Sequence, residues 1–180
     1  MPTPELLGIG LVGFSTNCVL ALLNILTREK EGEKLVPGWG WGHILTGAMM
    51  IIVGVSTYVT NALGNAAVSG YGGIALTYYG FYWIALGNSL VKGLDLRPIG
   101  QLSIAYAIVS IWFIAGAMSL NLWSLVLLLV VLVVVFLMLW PATHGNAAAL
   151  RGAGVLLIVL AFLGFYIAFG FIFPKYAHPF

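Results

Sequence analysis

Side chains that could do acid–base or metal chemistry are few in this sequence, and they are scattered. The acidic residues are Glu5, Glu29, Glu31, Glu33 and Asp95, and the histidines are His43, His144 and His178. The histidines fall in three separate regions at the ends of apolar segments, and no carboxylate lies deep in such a segment. Catalysis and metal binding both need several such groups held together. We therefore expect no catalytic residue, no metal, no cofactor and no enzyme activity.

A second pattern of chemical interest is G-x-G-x-x-G, spelled by the residues from Gly8 to Gly13. A dinucleotide site needs this pattern between a strand and a helix of a βαβ unit, whereas here it begins a long apolar segment. We interpret it as a small-residue helix face that a neighbouring helix can approach closely. The net charge of +2 is too small to predict a nucleic-acid partner.

The composition places these residues in a membrane. Of the 180 residues, 62% are hydrophobic and only 7% are charged, whereas a soluble domain has about 25% charged residues. A membrane helix needs about 20 apolar residues. We predict an all-α polytopic membrane protein, a compact bundle of six transmembrane helices forming one domain over residues 1–180. The predicted spans are Leu6–Leu26, Ile44–Tyr58, Ile74–Val91, Ile99–Leu120, Leu122–Trp140 and Gly152–Phe173.

The basic residues predict the orientation of this bundle. Six of the seven lie in the loops after spans one, three and five, and only Lys175 lies on the other side. Because basic loops favour the cytoplasm, we expect both termini outside the cell (inner) membrane and those three loops inside.

The spans contain hydroxyl and amide groups and one dense aromatic block, from Tyr78 to Trp83. The block either packs against glycine-rich neighbours or narrows a path, with its hydroxyl groups oriented toward that path. Most polar groups are expected to bond between helices, and the candidates for lining a path are Ser15, Thr16 and Asn88. Coupled carriers usually need a charge at membrane depth, so its absence from the predicted spans favours passive permeation.

Two motifs resemble the AmiS/UreI family of urea and short-chain amide channels. These are Tyr79-Gly80-Phe81-Tyr82-Trp83 and, ten residues further on, Gly93-Leu94-Asp95-Leu96-Arg97-Pro98. The resemblance implies a six-helix protomer, external termini and a homo-hexameric ring in which each protomer has its own pore.

Other residues resemble the acetate uptake transporters of the succinate–acetate permease type. They are Gly10-Leu11-Val12-Gly13-Phe14, Tyr79-Gly80 with Trp83, and Gly145-Asn146-Ala147-Ala148. This resemblance implies uptake of acetate or another monocarboxylate.

Both resemblances imply the same apolar constriction, formed by Phe14, Tyr79 and Val131 or a near neighbour of Val131. Residues four apart lie one above the other on a helix, so Cys18 would follow Phe14 and Trp83 would follow Tyr79. The expected partners are a small solute, membrane lipid and other copies of the chain. A third hypothesis is an accessory structural subunit of a larger membrane complex.

Overall fold

Six α-helices make up most of the computed structural model, which describes residues 4–31 and 35–173 but not the side chains of residues 27–31. The helices are α1 (Glu5–Glu31), α2 (Val36–Val59), α3 (Ala66–Val91), α4 (Arg97–Ser119), α5 (Trp123–Thr143) and α6 (Ala147–Ile172). The all-α, six-helix prediction is confirmed. The predictions that involve Lys34, Lys175 and His178 lie outside the described residues, as do those for the side chains of Arg28 and Lys30.

Five of the six helices are long and apolar enough to cross a membrane, within the residues described. The helix that falls short on hydropathy is α3, which is rich in glycine, tyrosine and serine. Its 26 residues still span about 39 Å at 1.5 Å per residue. Because α3 packs against α1, α2 and α4, its polar residues face protein, and apolarity is not required of it. The chain is a multi-pass membrane protein.

Two helices are longer than the predicted spans, and each extension contains a proline. The predicted span two begins at Ile44 and is entered through Pro37–His43, but α2 already begins at Val36, with Pro37 in its first turn. Proline is tolerated there because the first backbone N–H groups of a helix have no partner within it. At the same end of the bundle, α5 continues through Pro141 to Thr143, so only two residues follow the missing donor.

Two asparagines begin helices inside segments that were expected to be loops. The Asn65 side chain accepts hydrogen bonds from the backbone N–H groups of Ala67 and Val68, at 3.0 and 3.2 Å, and α3 begins at Ala66. Asn146 accepts from Ala149 N at 3.0 Å, and α6 begins at Ala147. Each side chain satisfies otherwise free donors of a first turn, which extends both helices beyond their apolar spans.

The helices form a closed ring in chain order, in which α6 packs back against α1. Within this ring α2 and α3 lie closest together, because glycines face each other along their whole contact. Gly40, Gly47 and Gly54 of α2 oppose Gly87, Gly80 and Gly73 of α3, and we call these six residues the glycine ladder. A Cβ atom at Gly47 would lie 2.8 Å from the Gly80 carbonyl oxygen. Contact this close requires the absence of side chains.

The backbones of α3 and α4 lie further apart, and tyrosine side chains fill the space between them. The hydroxyl oxygens of Tyr79 and Tyr82 lie 2.8 and 2.9 Å from the hydroxyl oxygens of Ser110 and Ser103. Each serine donates its own hydrogen to a carbonyl one turn earlier in α4, so the tyrosines are the donors. These bonds fix the rotation of α3 in the bundle.

The glycines of the G-x-G-x-x-G pattern do not form one face for one neighbour. A Cβ atom at Gly8 would meet α6, one at Gly10 would meet Leu76 of α3, and one at Gly13 would meet Met49 of α2. The prediction of close helix approach holds at each position. The prediction of a single partner is wrong, because α1 packs against three helices at once.

Candidate functional site

Two cavities lie inside the ring of helices, at opposite ends of the bundle. The larger measures about 630 Å³ and begins at the turns that contain Asp95 and Gly145. It ends deeper in the bundle at His43, Tyr82 and Trp83. The smaller measures about 40 Å³, at the end of the bundle where α1 begins, and its lining residues include Leu7, Leu11, Phe14, Tyr71, Tyr79, Leu128 and Leu129.

A single layer of bulky side chains separates the two cavities. We call Phe14, Tyr79, Trp83, Leu132 and Phe136 the apolar layer. Phe14 and Tyr79 line the small cavity, and the other three line the large one. The Phe14 ring centroid lies 6.5 Å from those of both Tyr79 and Trp83, and Tyr79 stacks on Phe136 at 6.1 Å. All five side chains are at most 5% exposed, so the layer is closed in this conformation.

Spacing along the helices explains how three elements supply this layer. Tyr79 and Trp83 are four residues apart on α3, and Leu132 and Phe136 are four apart on α5, so each pair stacks along one helix face. The hydroxyl groups of Tyr79 and Tyr82 point to serines of α4. These two hydroxyls bond between helices, as expected for most polar groups, and the alternative in which they face the path does not hold for them because α4 offers buried partners.

The structure brings Phe14, Tyr79 and Trp83 together, as the family resemblances imply. Cys18 is fully buried in the core and lines neither of the two cavities. Val131 is half-buried and also lines neither, whereas the adjacent Leu132 lines the large one.

The three polar candidates also lie away from both cavities. Ser15 is fully buried and packs against Gly164 of α6. Thr16 and Asn88 are half-buried. None of the three lines either cavity.

A buried polar cluster that we did not predict lies beside the apolar layer. His43 is fully buried, and its Nδ1 lies 2.8 Å from Oδ1 of Asn17. Thr46 Oγ1 lies 2.7 Å from the same oxygen and 2.7 Å from the carbonyl oxygen of Gly42 one turn earlier. The His43 ring stacks on Trp83 at 5.3 Å. The expectation of a boundary position for His43 is wrong because α2 begins seven residues before it. Its spacing to Gly47 and Met50 places it on the buried face of α2, and this signal was readable in the sequence.

The large cavity has two side chains with polar atoms that lack a partner. Oδ1 of Asn24 and Nε2 of His43 are buried and have no hydrogen-bond partner among the described residues. Most of the other lining side chains are aliphatic or aromatic. An unsatisfied buried polar atom costs about 1–3 kcal/mol, so this cavity favours an occupant that can hydrogen-bond.

The mouth of the large cavity carries one carboxylate, Asp95, which is paired within its own turn. Arg97 donates to it from its backbone N at 2.9 Å and from Nε at 2.6 Å. These hydrogen bonds, the side-chain bond above all, lower the pKa of Asp95 below its ordinary value. The pair orders the turn before α4.

We expect Asp95→Asn to lower the thermal midpoint at pH 7 by about 2 °C or less, because the pair is exposed. The folded-state pKa of Asp95 is below its unfolded value, so the pair stabilises the fold above the unfolded pKa. That contribution is lost as the pH falls through the folded value. Melting of both proteins in detergent between pH 7 and pH 2.5 checks this, and a difference that does not shrink at the acid end would contradict it.

Comparisons with known proteins agree with this architecture. No protein-family model and no curated protein sequence matches the chain. Among solved structures, the chain is similar to one described as the bacterial acetate channel SatP, with a TM-score of 0.74 and 21% sequence identity. The match covers 97% of this chain and 94% of that one. The two proteins share a fold. The neighbour agrees with the second family resemblance, and no comparison supports the first.

Proposed function

We propose that this chain forms a passive channel for a small solute of the short-chain monocarboxylic acid class, such as acetate. The observation that carries the proposal is the pair of cavities inside one chain, separated only by the apolar layer. Crossing that layer removes a solute's water, which costs an inorganic ion far more than a small, partly apolar solute. In the described part of the chain, charged side chains lie only near helix ends and in turns, which favours passive permeation over coupled transport.

Two observations bear on the choice between a monocarboxylic acid and the urea or short-chain amide reading, and the second concerns urea alone. The solved structure of similar fold is described as an acetate channel. The apolar layer presents ring faces and aliphatic groups, and the hydroxyl of Tyr79 is already bonded to Ser110. Urea carries several N–H donors and no apolar group, so it would cross this layer with more unsatisfied hydrogen bonds than a molecule with a methyl group.

The assembly and the orientation belong to the same proposal. Both cavities and the layer lie within the helices of one chain, which supports one path per protomer, and we propose a homo-hexamer of such protomers. Lys92, Arg97 and Arg151 all lie at the end of the bundle where the large cavity opens. Since basic ends favour the cytoplasm, we propose that the large cavity faces inward and the small one outward.

The direct test is solute flux into liposomes that contain the purified protein, followed by light scattering. We expect acetate, supplied at about pH 5 so that part of it is the neutral acid, to enter faster than into empty vesicles. Of the three solutes acetate, acetamide and urea, we expect urea to enter slowest. The particle mass in detergent, measured on the same preparation, should correspond to six copies. Flux equal to that of empty vesicles for all three solutes would contradict the channel. Purification in a fixed ratio with a different subunit would instead favour the accessory-subunit hypothesis.

A further inference from the structure

We propose that His43 is a solute-binding residue whose Nε2 accepts a hydrogen bond from the permeating molecule. The cavity then takes a small neutral solute with an O–H or N–H donor, such as a protonated short acid, in preference to the carboxylate anion. This inference rests on the proposed channel function and names the form of solute that the path accepts.

The hydrogen bonds of Asn17 determine which nitrogen of His43 is free. Oδ1 of Asn17 lies 2.8 Å from Nδ1 of His43, and Nδ2 of Asn17 lies 3.6 Å from the sulfur of Met50. Thr46 Oγ1 lies 2.7 Å from both Oδ1 of Asn17 and the carbonyl oxygen of Gly42, so its one hydrogen does not orient the amide, and the contact with Met50 does. A sulfur atom accepts a hydrogen bond, so the amide nitrogen belongs on that side and the oxygen on the histidine side. An amide oxygen has no hydrogen to donate. Nδ1 of His43 therefore carries the hydrogen, and Nε2 of the neutral ring is an acceptor.

The packing around His43 holds this acceptor in place. One face of the ring lies on Trp83, with an interplanar angle of 8°, and the side chain is fully buried. Nδ1 is occupied, so Nε2 is the polar side-chain atom that His43 can offer to the cavity that it lines. This position is adjacent to the apolar layer, where a solute has lost most of its water.

The described residues that line the cavity at this depth carry no cation. Oδ1 of Asn24 is a second buried acceptor without a partner among them, and it belongs to an amide that also carries the Nδ2 donor. Two acceptors satisfy the O–H of a neutral acid or the N–H groups of an amide. A carboxylate is itself only an acceptor and finds no donor at Nε2 of His43. The neutral acid carries an O–H donor that the carboxylate lacks. An acceptor in a site without water therefore discriminates strongly between these two forms of the solute.

Flux measurements with amides test this inference, because an amide keeps the same protonation state over the pH range of the experiment. We compare acetamide, N-methylacetamide and N,N-dimethylacetamide, which carry two, one and no N–H donors. His43→Leu should lower acetamide flux by about three- to tenfold, the effect of one lost hydrogen bond, and leave dimethylacetamide flux unchanged. Taking the ratio of variant to native flux for each solute removes the effect of solute size. His144→Leu is the control, since that histidine is exposed and lines neither cavity.

Nitrogen NMR tests the same inference in a chain that keeps His43. With His144 and His178 replaced by glutamine, the ¹⁵N-histidine spectrum reports His43 alone. We expect an unprotonated Nε2 whose resonance moves with acetamide and does not move with dimethylacetamide or with sodium acetate at neutral pH. A protonated Nε2, an equal response to acetate, or equal acetamide flux in folded His43→Leu would overturn the proposal. Absence of flux in the native protein would overturn the channel itself, while the protonated nitrogen would still be identified by NMR.

Discussion

Tyr79→Ala should raise acetate flux about tenfold, the change that follows from lowering a barrier by about 1.4 kcal/mol. Tyr79 contacts the rings of both Phe14 and Phe136, and it closes the apolar layer from the side of the small cavity. Removing its ring joins the two cavities into one continuous space. The same change should admit larger solutes such as butyrate, because the narrowest point of the path becomes wider. Flux of both solutes into liposomes measures the effect.

Two control variants separate the ring of Tyr79 from its other contacts. Tyr79→Phe removes the hydrogen bond to Ser110 and keeps the ring, so its flux should stay within about twofold of native. Phe81→Ala removes a ring of similar size from the outer face of the same helix, where Phe81 is 56% exposed, and should leave flux unchanged. If folded Tyr79→Ala protein conducted no faster than native, the layer would not be the barrier.

The sequence predicts the aromatic part of the site better than the aliphatic part. Tyr79 and Trp83 stand four residues apart in a recognisable motif, and they lie together in the structure. In α5, leucine and valine follow one another almost uniformly, so no periodic signal indicates which face points inward. Val131 and Leu132 cannot be distinguished by composition, and packing of Phe136 against Tyr82 of α3 sets the rotation of α5.

The main error at sequence level comes from applying the turn rules of soluble proteins to glycine. The run from Pro37 to His43 contains three glycines and a proline, which is typical of a loop in water. In a bilayer the backbone must bond internally, so the same residues continue the helix, and Gly40 provides contact with α3. Because the run from Pro37 to His43 lies outside the predicted span two, the prediction also places His43 outside the helix bundle. Asn17 then had no visible partner, although a buried asparagine requires one.

The seven-residue spacing of glycines in both α2 and α3 is the signal that would have prevented this error. Gly40, Gly47 and Gly54 recur every two turns, as do Gly73, Gly80 and Gly87. Such spacing places each set on one helix face, and two such faces form the closest contact in the bundle. That contact fixes the depth and rotation of α2, and therefore the position of His43 beside Trp83.

Gly47→Ala should lower the free energy of unfolding by about 1–3 kcal/mol, which corresponds to about 3–10 °C in the thermal midpoint. The added Cβ atom would lie 2.8 Å from the Gly80 carbonyl oxygen and 3.0 Å from a side-chain carbon of Ile84. Backbone atoms cannot rotate away, so the two helices must separate. Since Gly47 lies one turn from His43 on the same face, acetate flux should fall in this variant as well.

Gly38→Ala is the matched control, because Gly38 belongs to the same helix and a Cβ atom added there would have no neighbouring atom within 4 Å. Replacing a helical glycine by alanine in open space stabilises by reducing the freedom of the unfolded chain, so its midpoint should be equal to native or slightly higher. Melting of both variants in detergent measures the contrast. If Gly47→Ala lost no more stability than Gly38→Ala, the glycine ladder would not determine the spacing of α2 and α3.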